Sequence, residues 1–142
     1  MDVKRSWQLE KHLRHLADDQ WIPMLDSDGH VLPGIDGMHG VRGEKEDGTY
    51  IGADFVRMQP GTAFPLHTHH GDHEIYVIKG AALIHIDGKD VVVKSGHLIH
   101  IPAEYPHGIR VPERFGALIF VAMGHPHQHV DARNRMKSLS ST

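Results

Sequence analysis

A succession of strand-length apolar runs, each closed by turn-forming residues, constrains this fold more than any other feature. The runs are Tyr50 to Met58, Ile75 to Ile78, Ala81 to Ile86, Val91 to Val93, Leu98 to Ile101 and Phe115 to Met123. Within Ile86-Asp87-Gly88-Lys89, an Asp-Gly pair stands between two β-favouring runs, which suits the positive φ angles of a type I′ hairpin turn. Many short strands with regular turns imply an antiparallel barrel or sandwich.

The flanks read differently. Leu9, Leu13 and Leu16 recur at steps of four and three between Ser6 and Asp18, with Ser6 as a candidate N-cap. That spacing predicts a short amphipathic helix packed on the main body, with His12 and His15 on its solvated face. From Met24 to Gly48 the chain is crowded with Gly, Asp and Pro, the signature of turns linking short extended pieces. From His125 to Thr142 it turns polar and basic, and the expectation is a frayed or surface extension. Within that tail, His125, His127 and His129 read as a polar loop able to capture metal adventitiously. One domain is expected, with residues 1–48 packing on a barrel core of 49–124 and 125–142 as the tail.

Composition narrows the chemistry. With 142 residues the chain is about one domain long. It has no cysteine, so disulfides and thiolate ligation are excluded and a metal must be held by imidazole, carboxylate or water. The net charge of −3 arises from interspersed acidic and basic residues, which offer no broad cationic surface for nucleic acid. Fifteen histidines make that charge depend on pH near 6. Charged residues interrupt Met1 to Leu25 as they would not in a signal peptide, and no run approaches the roughly 20 apolar residues of a membrane span. A soluble, cytoplasmic protein without a membrane partner is expected.

The histidines are not evenly spread. His67 and His69 are two apart, and in a strand such residues face the same side. His73 follows the short Gly71-Asp72 turn, and His107 comes from a different strand, so the four can converge on one ion. His70 is expected to face solvent, and one of His85, His97 and His100 to face the interior as a supporting group.

The spacing resembles the two motifs of the cupin superfamily. In the first, Gly61, His67, His69 and Gly80 occupy their places; in the second, Gly96, Pro102 and His107 do. Fifteen residues separate Gly80 from Gly96, close to the shortest cupin spacing, and the resemblance covers roughly residues 50 to 123. Two departures stand out. The position that usually holds glutamate falls on His73, and Glu74 fits only if the spacing to Gly80 shortens by one. Glu104 stands where the motif has glycine, which calls for a locally different turn and puts a carboxylate near the barrel mouth.

The resemblance implies an all-β, antiparallel double-stranded β-helix (jelly-roll barrel) with a short N-terminal helix. It is closest in pattern to small cupins in which four histidines bind manganese or another divalent ion. The implied ligands are His67, His69, His73 and His107, with Glu74 as the alternative to His73. Iron is the other favoured metal, and Zn, Ni, Co and Cu also suit imidazole. Four neutral ligands leave the full 2+ charge on the ion and two positions open for a small oxygenated molecule. The implied activity is that of a metal-dependent dioxygenase; the alternatives are a redox-neutral isomerase or lyase and a non-catalytic sensing or binding module. Tyr76, Glu104 and His100 are the candidate catalytic residues, with Glu74 and Tyr105 also near. A small-molecule substrate and a homodimer complete the expectation.

Overall fold

The computed structural model of the chain describes residues 6–128 and 136–139. Its eleven strands are β1 (Ile22–Leu25), β2 (Val31–Glu44), β3 (Tyr50–Met58), β4 (Ala63–Thr68), β5 (Asp72–Lys79), β6 (Ala81–Ile86), β7 (Lys89–Lys94), β8 (Leu98–Ile101), β9 (His107–Arg110), β10 (Leu118–His125) and β11 (Lys137–Ser138). They form a six-stranded sheet in the order β1-β2-β3-β10-β5-β8 and a five-stranded sheet in the order β11-β4-β9-β6-β7. Every neighbouring pair is antiparallel. The all-β jelly-roll expectation is met.

Strand alternation sorts the residues between interior and surface. On β10, Leu118, Phe120 and Ala122 are buried, while the intervening residues are only partly covered. Register then stacks the interior into rows across β3, β10 and β5. Val56, Phe120 and Val77 form one row, Asp54, Ala122 and Ile75 the next, and Gly52, Gly124 and His73 the one at the barrel mouth. The first of these rows is wholly apolar, and each such side chain contributes about 1.5–3 kcal/mol on burial. The rows turn polar toward the mouth. The β6–β7 hairpin turns as its sequence requires, with Asp87 at φ 58° and Gly88 at φ 75°.

Three expectations are corrected. The helix expected from Ser6 to Asp18 is instead a four-residue helix, α1 (Leu9–His12), and a separate 3₁₀ turn at Leu16–Asp18. Gln8, not Ser6, is the N-cap. His15 is extended and interrupts the helix: its Nδ1 accepts the Ala17 N–H at 2.9 Å and its own N–H donates to Asp18 Oδ2 at 3.0 Å. Such local bonds offer the backbone an alternative to helix. Of the leucine stripe, Leu9 and Leu13 stay 58% and 61% exposed, while Leu16 is partly buried.

The stretch from Met24 to Gly48 contains a fourteen-residue strand, β2, rather than only short pieces between turns. Its glycines serve close approach as well as turning. A Cβ at Gly40 would stand 1.9 Å from the Ala53 carbonyl oxygen, inside the irregularity between Met38 and Val41.

The described part of the C-terminal tail is not frayed. Met136 is 5% exposed, β11 pairs with β4, and the Leu139 N–H donates to the Leu66 carbonyl at 3.0 Å. His129 lies outside the described residues.

Candidate metal centre

β4 delivers His67, and the chain leaves the strand just before His69; both rings are buried. His107 opens β9 and is paired across the sheet with His67. His67, His69 and His107 each offer a ring nitrogen, and these donor atoms lie within 4.8 Å of one another. His73, second residue of β5, is buried beside them with its ring stacked on that of His69, centroids 4.1 Å apart and planes 3° from parallel. It belongs to the same cavity but stands outside the converging group of three.

Backbone carbonyls orient two of these rings. His67 Nδ1–H donates to the Pro65 carbonyl at 2.6 Å, and His107 Nδ1–H to the Tyr105 carbonyl at 2.8 Å. A carbonyl only accepts, so each Nδ1 carries the proton and each neutral ring keeps its lone pair on Nε2. His67 Nε2 lies 3.1 Å from His69 Nε2. Two such nitrogens face each other stably only with a proton or a cation shared between them. The donor set is therefore suited to a divalent ion of the imidazole-preferring kind.

The cavity that the four imidazoles line measures about 20 Å³ and is lined otherwise by Val56, Phe64, Ile75, Ile109, Phe120, Ala122 and Met136. This is room for about one water-sized ligand. Met136 contributes to that lining from the C-terminal segment, a position its polar sequence context did not suggest.

The alternatives proposed from sequence lie elsewhere. Glu74 follows His73 on the opposite face of β5, where Oε2 meets His125 Nε2 at 3.1 Å. Tyr76 shares that outer face and is 43% exposed. His100, paired with Glu74 across the sheet, is also exposed. None of the three lines the cavity, because strand alternation turns them outward. Tyr105 points to the β6–β7 hairpin, where its hydroxyl donates to Asp87 Oδ1 at 2.7 Å; that bond, and the carboxylate charge behind it, raise the phenol's pKa above its ordinary value. His85 pairs with Asp90 and His97 Nδ1 accepts the Lys94 N–H, so neither supports the site, and His70 is exposed as expected.

Glu104 does sit near the mouth, exposed, with its N–H donating to the His69 carbonyl at 2.9 Å. The expected local change of turn does not occur. Glu104 takes φ 59° and keeps the left-handed backbone that glycine would adopt.

Sequence reasoning missed a second buried polar pair. His127 Nε2 meets Asp54 Oδ2 at 2.7 Å, with both side chains 3% exposed. A signal for Asp54 existed, since it shares strand parity with Val56 and Met58, both buried.

Comparison with known proteins agrees with the geometry. Residues 54–123 match the Cupin domain family. An oxalate-binding protein of Thermotoga maritima is 33% identical across 53% of this chain and 71% of its own length. The quercetin 2,3-dioxygenase of Bacillus subtilis is 32% identical, across 50% of this chain but only 25% of that enzyme. Among solved structures, the polyketide cyclase RemF from Streptomyces resistomycificus superposes with a TM-score of 0.61 at 18% identity, over 78% of this chain and 74% of that one. KdgF from Halomonas sp. does so with a TM-score of 0.61 at 20% identity, over 82% and 95%. With its two antiparallel sheets and its histidines gathered at one mouth, the chain belongs to the cupin family.

Proposed function

We propose that this cupin is a metal-dependent enzyme of the dioxygenase type, acting on a small oxygenated organic molecule. The observation that carries the reading is the buried convergence of His67, His69 and His107, with His73 stacked beside them. His67, His69, His73 and His107 would hold a divalent ion, manganese or iron first, and when bound it would supply Lewis acidity to an enol, catechol or hydroxyketone oxygen. The protein residues hold the site ready. Carbonyl bonds at Pro65 and Tyr105 keep two Nε2 lone pairs aimed inward, and Val56, Phe64, Ile109 and Phe120 give the rest of the cavity an apolar lining. At about 20 Å³ the cavity has room for about one water-sized ligand, so a larger substrate would require lining side chains to move aside.

The small cavity and the similarity to an oxalate-binding protein favour one second reading, a module that holds a small bidentate carboxylate without turnover. Metal analysis of untagged protein, followed by oxygen-electrode assays with catechols, hydroxyketones and oxalate, separates the two. Metal-dependent oxygen uptake supports the enzyme. Oxalate binding without consumption of either partner supports the module, and turnover without oxygen would indicate an isomerase or lyase.

A further inference from the structure

Two glycines stand where side chains are expected in the row at the barrel mouth. Gly52 on β3 and Gly124 on β10 are in register with each other, and Gly124 is in register with His73 on β5. The space they leave is filled from outside the strands. A Cβ on Gly52 would meet His127 Cγ at 2.8 Å and Cδ2 at 2.9 Å, and one on Gly124 would meet His127 Cα at 3.2 Å. His127 therefore lies over Gly52 and Gly124, in the row that ends at His73, roughly 10 Å across for two inter-strand spacings.

The socket is built to hold that ring. His127 Nε2 is 2.7 Å from Asp54 Oδ2, while Asp54 Oδ1 accepts the Gly40 N–H at 2.9 Å. The His127 N–H donates to the Tyr50 carbonyl at 2.9 Å. Asp54 itself occupies the next row inward, in register with Ala122, which lines the cavity. A buried carboxylate and imidazole at this distance cost desolvation free energy that a surface pair would not, and an apolar pair would close the same wall more cheaply.

Resting on the reading of the four imidazoles as a metal centre, we propose that Asp54 and His127 are positioning residues for it. The carboxylate-anchored ring fills the space over Gly52 and Gly124 in the row that ends at His73, and Asp54 stands in the row of Ala122 and Ile75, which line the cavity, so metal affinity and ligand geometry would depend on a pair that does not itself ligate. Groups that orient metal ligands typically change affinity by about 10–100-fold when removed.

The test loads wild-type protein, His127→Ala and the near-isosteric Asp54→Asn with Co(II), and measures affinity by chelator competition together with the visible ligand-field spectrum. Circular dichroism and thermal melts of the same samples report the fold. The expected result is weaker Co(II) binding by at least tenfold in His127→Ala, a smaller loss in Asp54→Asn, and an altered spectrum in both folded variants. Wild-type affinity within twofold and superimposable spectra, with only the melting temperature lowered, would reduce the pair to a staple for the C-terminal segment and overturn the inference. If His127→Ala does not fold, Asp54→Asn alone decides by the same two readouts. Wild-type protein that takes up no Co(II) overturns the metal-centre reading and this inference with it, an outcome distinct from intact binding that the variants leave unchanged.

Discussion

At the scale of single residues, three substitutions separate the roles that adjacent or motif positions play. His73 and Glu74 are neighbours in sequence, yet alternation on β5 puts one in the cavity and the other against His125 at the surface. His73→Ala is expected to lower metal content in purified protein by at least tenfold, measured by elemental analysis. Glu74→Ala should leave it unchanged and cost no more than about 1 kcal/mol, the worth of an exposed ion pair. Metal lost from the Glu74 variant alone would refute the assignment of His73. Glu104 poses a different question, because its left-handed backbone at φ 59° is strained for any residue with a Cβ. Glu104→Gly removes that strain but adds freedom to the unfolded chain, terms of about 1–2 and 0.4–1 kcal/mol. A net gain of about 0.5 kcal/mol is expected in urea denaturation, and a loss would mean that the Glu104 side chain is itself stabilising.

At the scale of elements, what the sequence made legible was what alternation and turn chemistry control. The Ala81–Ile86 and Leu98–Ile101 runs coincide with β6 and β8, and Asp87-Gly88 turns the hairpin with both φ angles positive. The histidine cluster was legible for the same reason, since its spacing carries both strand parity and motif position. Elements whose stability comes from distant partners were not. β2 is dense in glycine and reads locally as loop, but its order comes from pairing with β1 and β3. β11 is two residues long with no local signal, and it exists because β4 offers an edge and the barrel a place for Met136. Conversely, Leu9 and Leu13 show helical spacing yet remain exposed in the protomer. Met136→Ala should therefore cost about 2–4 kcal/mol in chemical denaturation, as for other buried methionines. A cost below about 0.5 kcal/mol would mean that the C-terminal segment does not pack as described. The β6–β7 hairpin carries a pH-dependent element of its own. The bond from His85, then that from Arg110, holds the Asp90 carboxyl below its ordinary value of 3.8. Because its folded pKa is depressed, the stabilisation is present above pH about 4 and lost as pH falls through the folded value. Asp90→Asn should accordingly make the melting temperature less dependent on pH below 4, and an unchanged acid limb would show that the hairpin contributes nothing there.

At the scale of the whole molecule, the distribution of exposed apolar surface bears on assembly. On the six-stranded sheet, the outer face of β2, β3 and β10 carries a groove of about 390 Å³ lined by His12, Val41, Ile51, Ala53 and Met123. Nearby in the chain, Trp7, Leu9 and Leu13 are exposed, and so is Ile51 within the groove itself. Exposed apolar side chains grouped in this way make this face a candidate interaction surface. The homodimer that the cupin resemblance implies would use it, covering the leucine stripe that the protomer leaves open. Light scattering coupled to size exclusion is then expected to give twice 15.9 kDa. Ile51→Glu and Leu13→Glu, each placing a charge in the proposed contact, should shift the mass toward the monomer while leaving metal content intact, because neither side chain lines the histidine cavity. A wild-type mass of one protomer across the micromolar range would rule out the dimer. A stable dimer indifferent to both substitutions would move the interface to another face, with the outer surface of the five-stranded sheet, where Leu66 and Val92 are exposed, as the next to test.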